Sequence, residues 1–196
     1  MSDDDNGIKV ILLGESFVGK TSLIRVSIGK KFNSSESTTY SANYSIKKFN
    51  YNGKDYVFNL WDTIGQEKYR ALTKMFFKDS KIVILVYDIT EEKSFKELDF
   101  WYNQVENELG KEGYYLAIVG NKKDLYSKEK VKESQGKAFA QSKKAKFKLT
   151  SAKDDPLSFN SLLEQMFKEF IDNNKDLFRK RGATITKKDQ KKGKCC

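Results

Sequence analysis

The stretch Ile8-Lys9-Val10-Ile11-Leu12-Leu13-Gly14-Glu15-Ser16-Phe17-Val18-Gly19-Lys20-Thr21-Ser22-Leu23-Ile24-Arg25 decides the reading of this chain. Its first six residues are almost wholly apolar, as a strand buried on both faces requires. Its last four begin an amphipathic helix. Between them, residues 14–21 have the spacing of a loop that cradles phosphate groups. Gly14 and Gly19 let the backbone fold around an anion, so that the N–H groups of Glu15, Ser16, Phe17, Val18 and the residues opening the helix, Ser22 included, face it. Lys20 is placed to reach the β- and γ-phosphates of a nucleotide, and the Thr21 hydroxyl to ligate Mg²⁺.

Length and composition bound the rest. A chain of 196 residues is long enough for one domain with a proper core. No run of 18 apolar residues marks a membrane span, and the acidic start Met1-Ser2-Asp3-Asp4-Asp5 is not expected to be a secretory signal. The only cysteines are Cys195 and Cys196, which rules out a disulfide framework and predicts a cytosolic protein. Eight basic residues and one acid lie between Arg179 and Cys196, so this tail carries +7 of the net +10 and the remaining residues only +3. A near-neutral body argues against a nucleic-acid-binding module.

Outward from the loop, apolar or β-rich runs recur at 8–13, 43–49, 55–61, 81–87, 115–120 and 146–149. Asn52-Gly53 between the second and third predicts a hairpin and hence one antiparallel edge pair. The later runs alternate with helical patterns. Phe159, Leu162, Leu163, Met166, Phe167, Phe170 and Ile171 fall on one face of a last helix and are assigned to the core. The fold class is α/β, a mostly parallel six-stranded sheet with helices on both faces. Ligands of such sheets bind at the carboxyl ends of the strands.

Three further segments turn a generic phosphate loop into a guanine-nucleotide site. Leu60-Trp61-Asp62-Thr63-Ile64-Gly65-Gln66-Glu67 closes a strand: Asp62 can hold Mg²⁺ through a water, the Gly65 N–H can meet a γ-phosphate, and Gln66 can orient the attacking water. Asn121-Lys122-Lys123-Asp124 follows the strand at 115–120. The Asp124 carboxylate can accept from guanine N1–H and the exocyclic amine, a donor pair that adenine lacks. Thr150-Ser151-Ala152-Lys153 follows the last strand, where the Ala152 N–H can donate to guanine O6. Each alone is an ordinary turn; their order and placement after apolar strands are what carry the signal. Asp124 also argues against an adenine-specific phosphotransferase.

On these motifs the chain resembles a small GTPase of the Ras superfamily and, within it, the Rab family, over residues 8 to about 175 and the last residues. Leu85-Val86-Tyr87-Asp88-Ile89-Thr90 matches the Rab-type strand, and Phe76-Phe77-Lys78 stands where Rabs usually have Tyr-Tyr-Arg. Gly-Glu-Ser in the loop and Thr38-Thr39 are most similar to the endosomal subgroup. The resemblance implies a P-loop NTPase small-GTPase fold, sheet order 2-3-1-4-5-6 with five helices. It implies three regions: a flexible segment 1–7, a GTP-binding domain 8–175, and a polybasic tail 176–196. It also implies Phe32 edge-to-face near the guanine, the Lys122 stem on its other side, and Thr39 (or its neighbour Thr38) as the switch threonine on Mg²⁺. Ser151, Ala152 and Lys153 would complete the base site.

The implied activity is slow hydrolysis of GTP to GDP and phosphate, with Lys20, Gly65 and Gln66 catalytic. The segment from Lys31 to Thr39 holds no arginine, so an activating protein is expected to supply the missing cation. The other implied partners are an exchange factor, a GDP-dissociation inhibitor, an escort protein and effectors that read the switches; nucleic acid is not among them. Geranylgeranyl groups on Cys195 and Cys196, beside the basic run, would attach the protein to the cytoplasmic face of endomembranes, leaving a soluble cytosolic pool. It would act there as a switch in vesicle trafficking.

Four positions depart from the pattern. Ile64 stands where Rabs usually carry Ala, against the γ-phosphate, and raises a second reading: a hydrolysis-poor, GTP-bound scaffold that recruits effectors. Tyr40-Ser41 replaces Ile-Gly after the switch threonine. Phe17, at a loop position that is Gly in Ras, is bulky enough to pack over the nucleotide or a partner loop.

Overall fold

The computed structural model describes residues 7–34, 43–63 and 77–178. Six strands form one sheet: β1 (Ile8–Leu13), β2 (Asn43–Tyr51), β3 (Lys54–Asp62), β4 (Ile82–Asp88), β5 (Tyr115–Asn121) and β6 (Lys146–Leu149), in the order β2-β3-β1-β4-β5-β6. Among the strand pairs of the described residues, β2–β3 is antiparallel and the others are parallel. Asn52 (φ 52°) and Gly53 (φ 72°) both adopt the left-handed conformation that a two-residue hairpin turn demands.

Five α-helices lie wholly within the described residues: α1 (Lys20–Ser27), α2 (Glu92–Lys96), α3 (Leu98–Leu109), α4 (Glu133–Ser142) and α5 (Pro156–Asn173), with α2 and α3 abutting at Glu97. The central strands are apolar because they are covered on both faces. Val10 and Leu12 of β1, with Ile82, Ile84 and Val86 of β4, pack towards α1 and α5. Ile11 and Leu13, with Val83, Leu85 and Tyr87, pack towards α3 and α4. The expected α5 stripe is buried, and Phe167 stacks on Phe58 with ring centroids 3.6 Å apart. Asp155 caps α5, accepting from Ser158 N at 3.1 Å, and Pro156 begins it. After α5 the chain still packs: Phe178 lies edge-on to Tyr56 and Phe170.

β1 and β6 coincide with the apolar runs, whereas β3, β4 and β5 each run one residue past theirs, and that last residue is polar. β3 ends on Asp62, β4 on Asp88 and β5 on Asn121. Asp88 pairs with Asn121 and Leu12 with Asp62. The register thus gathers buried polar side chains at one end of the sheet.

Candidate functional site

Close neighbours, a backbone carbonyl at one and a side-chain amide at the other, fix the two loop glycines. A Cβ on Gly14 (φ 142°) would lie 2.1 Å from the Val86 carbonyl oxygen, and one on Gly19 (φ 95°) 2.4 Å from Asn121 Nδ2. Gly19 is also the left-handed N-cap of α1, so the helix N-terminus opens directly onto the loop. Lys20 folds back over that loop, donating to the carbonyls of Gly14 and Glu15, both at 2.9 Å. Burial lowers its pKa to about 8, with Asp62 and Glu15 opposing the shift. The Trp101 indole of α3 donates to Glu15 Oε1 at 3.3 Å, bracing the loop from behind.

Thr21 Oγ1 donates to Asp62 Oδ2 at 2.7 Å, and Thr63 Oγ1 to the Leu12 carbonyl at 2.5 Å. Thr21 and Asp62 bring two hard oxygen donors together, the kind Mg²⁺ prefers alongside waters and phosphates. Ser16 Oγ is buried without a hydrogen-bond partner, a polar group that a phosphate oxygen would satisfy. The donor set fits a phosphate chain with its cation.

The opposite end is built from the β5 and β6 loops. Asn121 Nδ2 donates to the Val18 carbonyl at 2.9 Å, and its Oδ1 accepts from Thr150 Oγ1 at 3.1 Å. Asn121 therefore ties the phosphate loop to both. Lys122 is left-handed (φ 67°), and its ammonium lies 2.7 Å from Asp88 Oδ2. Asp88 Oδ1 accepts from Thr90 N and Thr90 Oγ1, each at 2.8 Å. Ser151 Oγ donates to Asp124 Oδ1 at 2.7 Å and accepts from Asp154 N at 2.9 Å. One carboxylate oxygen of Asp124 is thus held by the protein.

A cavity of about 430 Å³ joins the two ends, lined by Ser16, Gly19, Lys20, Thr21, Ser22 and Thr63 at one and by Asn121, Lys122, Asp124, Leu125, Ala152 and Lys153 at the other, with Phe17 and Phe32 on its walls. That volume is ample for a small ligand. Gly14, Glu15, Val18, Asp62 and Ser151 hold its walls through the contacts above. Thr38, Thr39, Ile64, Gly65, Gln66, Cys195 and Cys196 lie outside the described residues. Sequence reasoning gave no role to Asp88, Thr90, Thr150 or Trp101. The Asp88 and Thr90 signal was present, in a polar pair ending an apolar strand, whereas the Trp101–Glu15 contact spans 86 residues and has no local signature.

The Ras family model matches residues 9–175. The chain is 42% identical over 159 residues to Ras-related protein Rab-21 of Homo sapiens, covering 81% of this chain and 68% of that one. It is 37% identical over 174 residues to Ras-related protein SEC4 of Saccharomyces cerevisiae, covering 87% and 80%. To Ras-related protein Rab-13 of Rattus norvegicus it is 36% identical over 149 residues, covering 76% and 73%.

Proposed function

We propose, from the premise that the chain belongs to the Ras family and is a Rab-type small GTPase acting in vesicle trafficking, that the cavity holds GTP or GDP with its phosphates on the 14–22 loop and its base against Asp124. The observation that carries this is the Asn121 bridge. It fastens the 14–21 loop to the loop bearing Thr150, and the residues proposed to bind the phosphates and to read the base line one 430 Å³ cavity.

Members of this family hydrolyse GTP to GDP and phosphate. In this chain the loop N–H groups and Lys20 take up charge developing on the γ-phosphoryl group, and Gln66 orients the attacking water while the Gly65 N–H meets the γ-phosphate. Thr21, Thr39 and, through water, Asp62 would hold Mg²⁺, which when bound neutralises charge on the β- and γ-phosphates. Asp124 accepts from guanine N1–H and the exocyclic amine, Ala152 N–H donates to O6, and the Lys122 stem and Phe32 flank the base. Loss of the γ-phosphate removes what holds Thr39 and Gly65, and that change is the output.

Regulators and effectors belong to the family. For this chain we assign an exchange factor, an activating protein, a GDP-dissociation inhibitor, an escort protein, and effectors that read the switches. Relatives of this kind associate with endomembranes and vesicles, and no helix among the described residues is long and apolar enough to cross a membrane. Geranylgeranyl groups on Cys195 and Cys196 would supply attachment at the cytoplasmic, endosomal face.

The test is the nucleotide that co-purifies with the full-length protein. GDP is expected; mostly GTP would favour the scaffold reading raised by Ile64, and adenine nucleotide or none would overturn the site. Asp124→Asn should move the preference from GDP to the xanthine analogue, because the amide offers a hydrogen to the 2-oxo group and repels the exocyclic amine.

A further inference from the structure

Five non-glycine residues among those described have a positive φ, and two of them, Phe17 (65°) and Lys122 (67°), line the same cavity. For an L-residue with a bulky side chain this conformation costs energy that glycine would avoid. Phe17 is also 74% exposed, the most of any large apolar side chain described along with Leu157. A single exposed apolar residue on a convex surface needs no explanation. Phe17 is different, because it lines a cavity, on the loop proposed to bear the phosphates, with Phe32 on the same cavity. Backbone strain and an unburied ring are both costs in the free protein, and a ligand that covers the ring recovers the second.

We infer that Phe17 is a retention residue for the nucleotide: its ring packs on the sugar between phosphates and base and slows release. This rests on the guanine-nucleotide reading above. Phe32 and the Lys122 stem flank the base itself, so the apolar face left for the Phe17 ring is that of the ribose. Release then requires the ring to be exposed again. Burying a phenyl group is worth enough to slow dissociation roughly ten- to a hundredfold.

The experiment follows release of fluorescent GDP, chased with excess GDP in Mg²⁺, from the full-length protein and its Phe17 variants. Phe17→Ala keeps the left-handed strain and removes the ring, and should release GDP roughly ten- to a hundredfold faster. Phe17→Gly also relieves the strain and should behave like Phe17→Ala, while Phe17→Tyr should release as slowly as the unaltered chain. Release from Phe17→Ala within twofold of the unaltered protein overturns the inference, as does fast release confined to Phe17→Gly. If the small variants do not load, Phe17→Trp carries the test, by acrylamide quenching measured against the background of Trp61 and Trp101. GDP should protect the new indole, and equal quenching with and without GDP overturns the inference. Unaltered protein that holds no GDP defeats the functional reading itself, whereas tight GDP binding with ring-independent release defeats only the role of Phe17.

Discussion

Lys122 Nζ lies 2.7 Å from Asp88 Oδ2, while the other oxygen of the same carboxylate is taken by the backbone and hydroxyl of Thr90. Adjacent strands that end in register, Asp88 opposite Asn121, create this pair. The ion pair anchors the far end of a side chain whose stem is proposed to flank the guanine, at a residue already held left-handed.

Asp88→Asn isolates that anchor. The amide oxygen can still accept from Thr90, but the amide nitrogen cannot receive an ammonium donor. Lys122 should then wander, and GDP release should quicken by about tenfold, equivalent to about 1.4 kcal/mol, with the thermal midpoint of the protein shifting little. Release kinetics measured beside thermal unfolding decide it. A large drop in midpoint with unchanged release would make Asp88 a structural residue only.

Lys20 should make nucleotide binding consume protons. Its pKa is lowered to about 8 by burial, and it must be charged to meet a polyanion. Below that pH the ammonium is already protonated, so binding takes up no proton. Above it a neutral amine must gain one, and affinity falls as pH rises. In the nucleotide-free protein the same lowering means that the unfolded chain binds more protons between about 8 and 10.5, so stability rises with pH across that window. Calorimetry in buffers of different ionisation enthalpy should find uptake near zero at pH 7 and about half a proton at pH 8. No uptake at pH 8.5 would contradict the assignment.

Much of this architecture is legible in the sequence because the physics is local. Asn52-Gly53 announces the hairpin, the β1, β4 and β5 runs are apolar because both faces are covered, and the spacing of Gly14, Gly19 and Lys20 needs only one strand–loop–helix unit. What escaped is non-local. Asp88 and Thr90 read as the end of a strand until the register sets Asp88 beside Asn121 and next to Lys122. Trp101 reads as core, which it is at 1% exposure, while its single polar atom reaches Glu15. Gly120 and Gly136 carry no signal either, since their need for hydrogen at Cα comes from distant side chains, Tyr87 with Leu149 at the first and Tyr87 with Phe147 at the second.

That need is testable. A Cβ on Gly136 would lie 2.4 Å from Tyr87 Oη and 2.5 Å from Phe147 Cε2, and one on Gly120 2.7 Å from the same hydroxyl. The hydroxyl is buried with no partner. Gly136→Ala should therefore destabilise by about 1–3 kcal/mol through overpacking. Tyr87→Phe should be neutral or stabilise by about 1 kcal/mol, because an unpaired buried hydroxyl is removed. Combined, Tyr87→Phe should recover only part of the Gly136→Ala loss, since Phe147 still blocks the new methyl. Urea unfolding of the three variants measures this; full recovery would mean that Phe147 yields freely.

The last prediction concerns Ile64, which lies outside the described residues but follows Thr63, whose hydroxyl is fixed on the Leu12 carbonyl. Thr63 is 1% exposed and Asp62 8%, so the backbone entering position 64 leaves a tightly held strand end. We propose that a branched side chain immediately after that anchor displaces the segment that would carry Gly65 and Gln66 to the γ-phosphate. Gln66 orients a water only if its backbone is correctly set, and a misplacement of an ångström costs about a hundredfold in rate. Ile64→Ala should therefore accelerate single-turnover hydrolysis of preloaded GTP, by roughly ten- to a hundredfold if displacement is the whole effect. Gln66→Leu in the same background should abolish the gain, because the methyl-sized residue helps only by restoring the glutamine. An unchanged rate in Ile64→Ala would show that the segment already accommodates isoleucine and that hydrolysis here is limited by the absent activating partner.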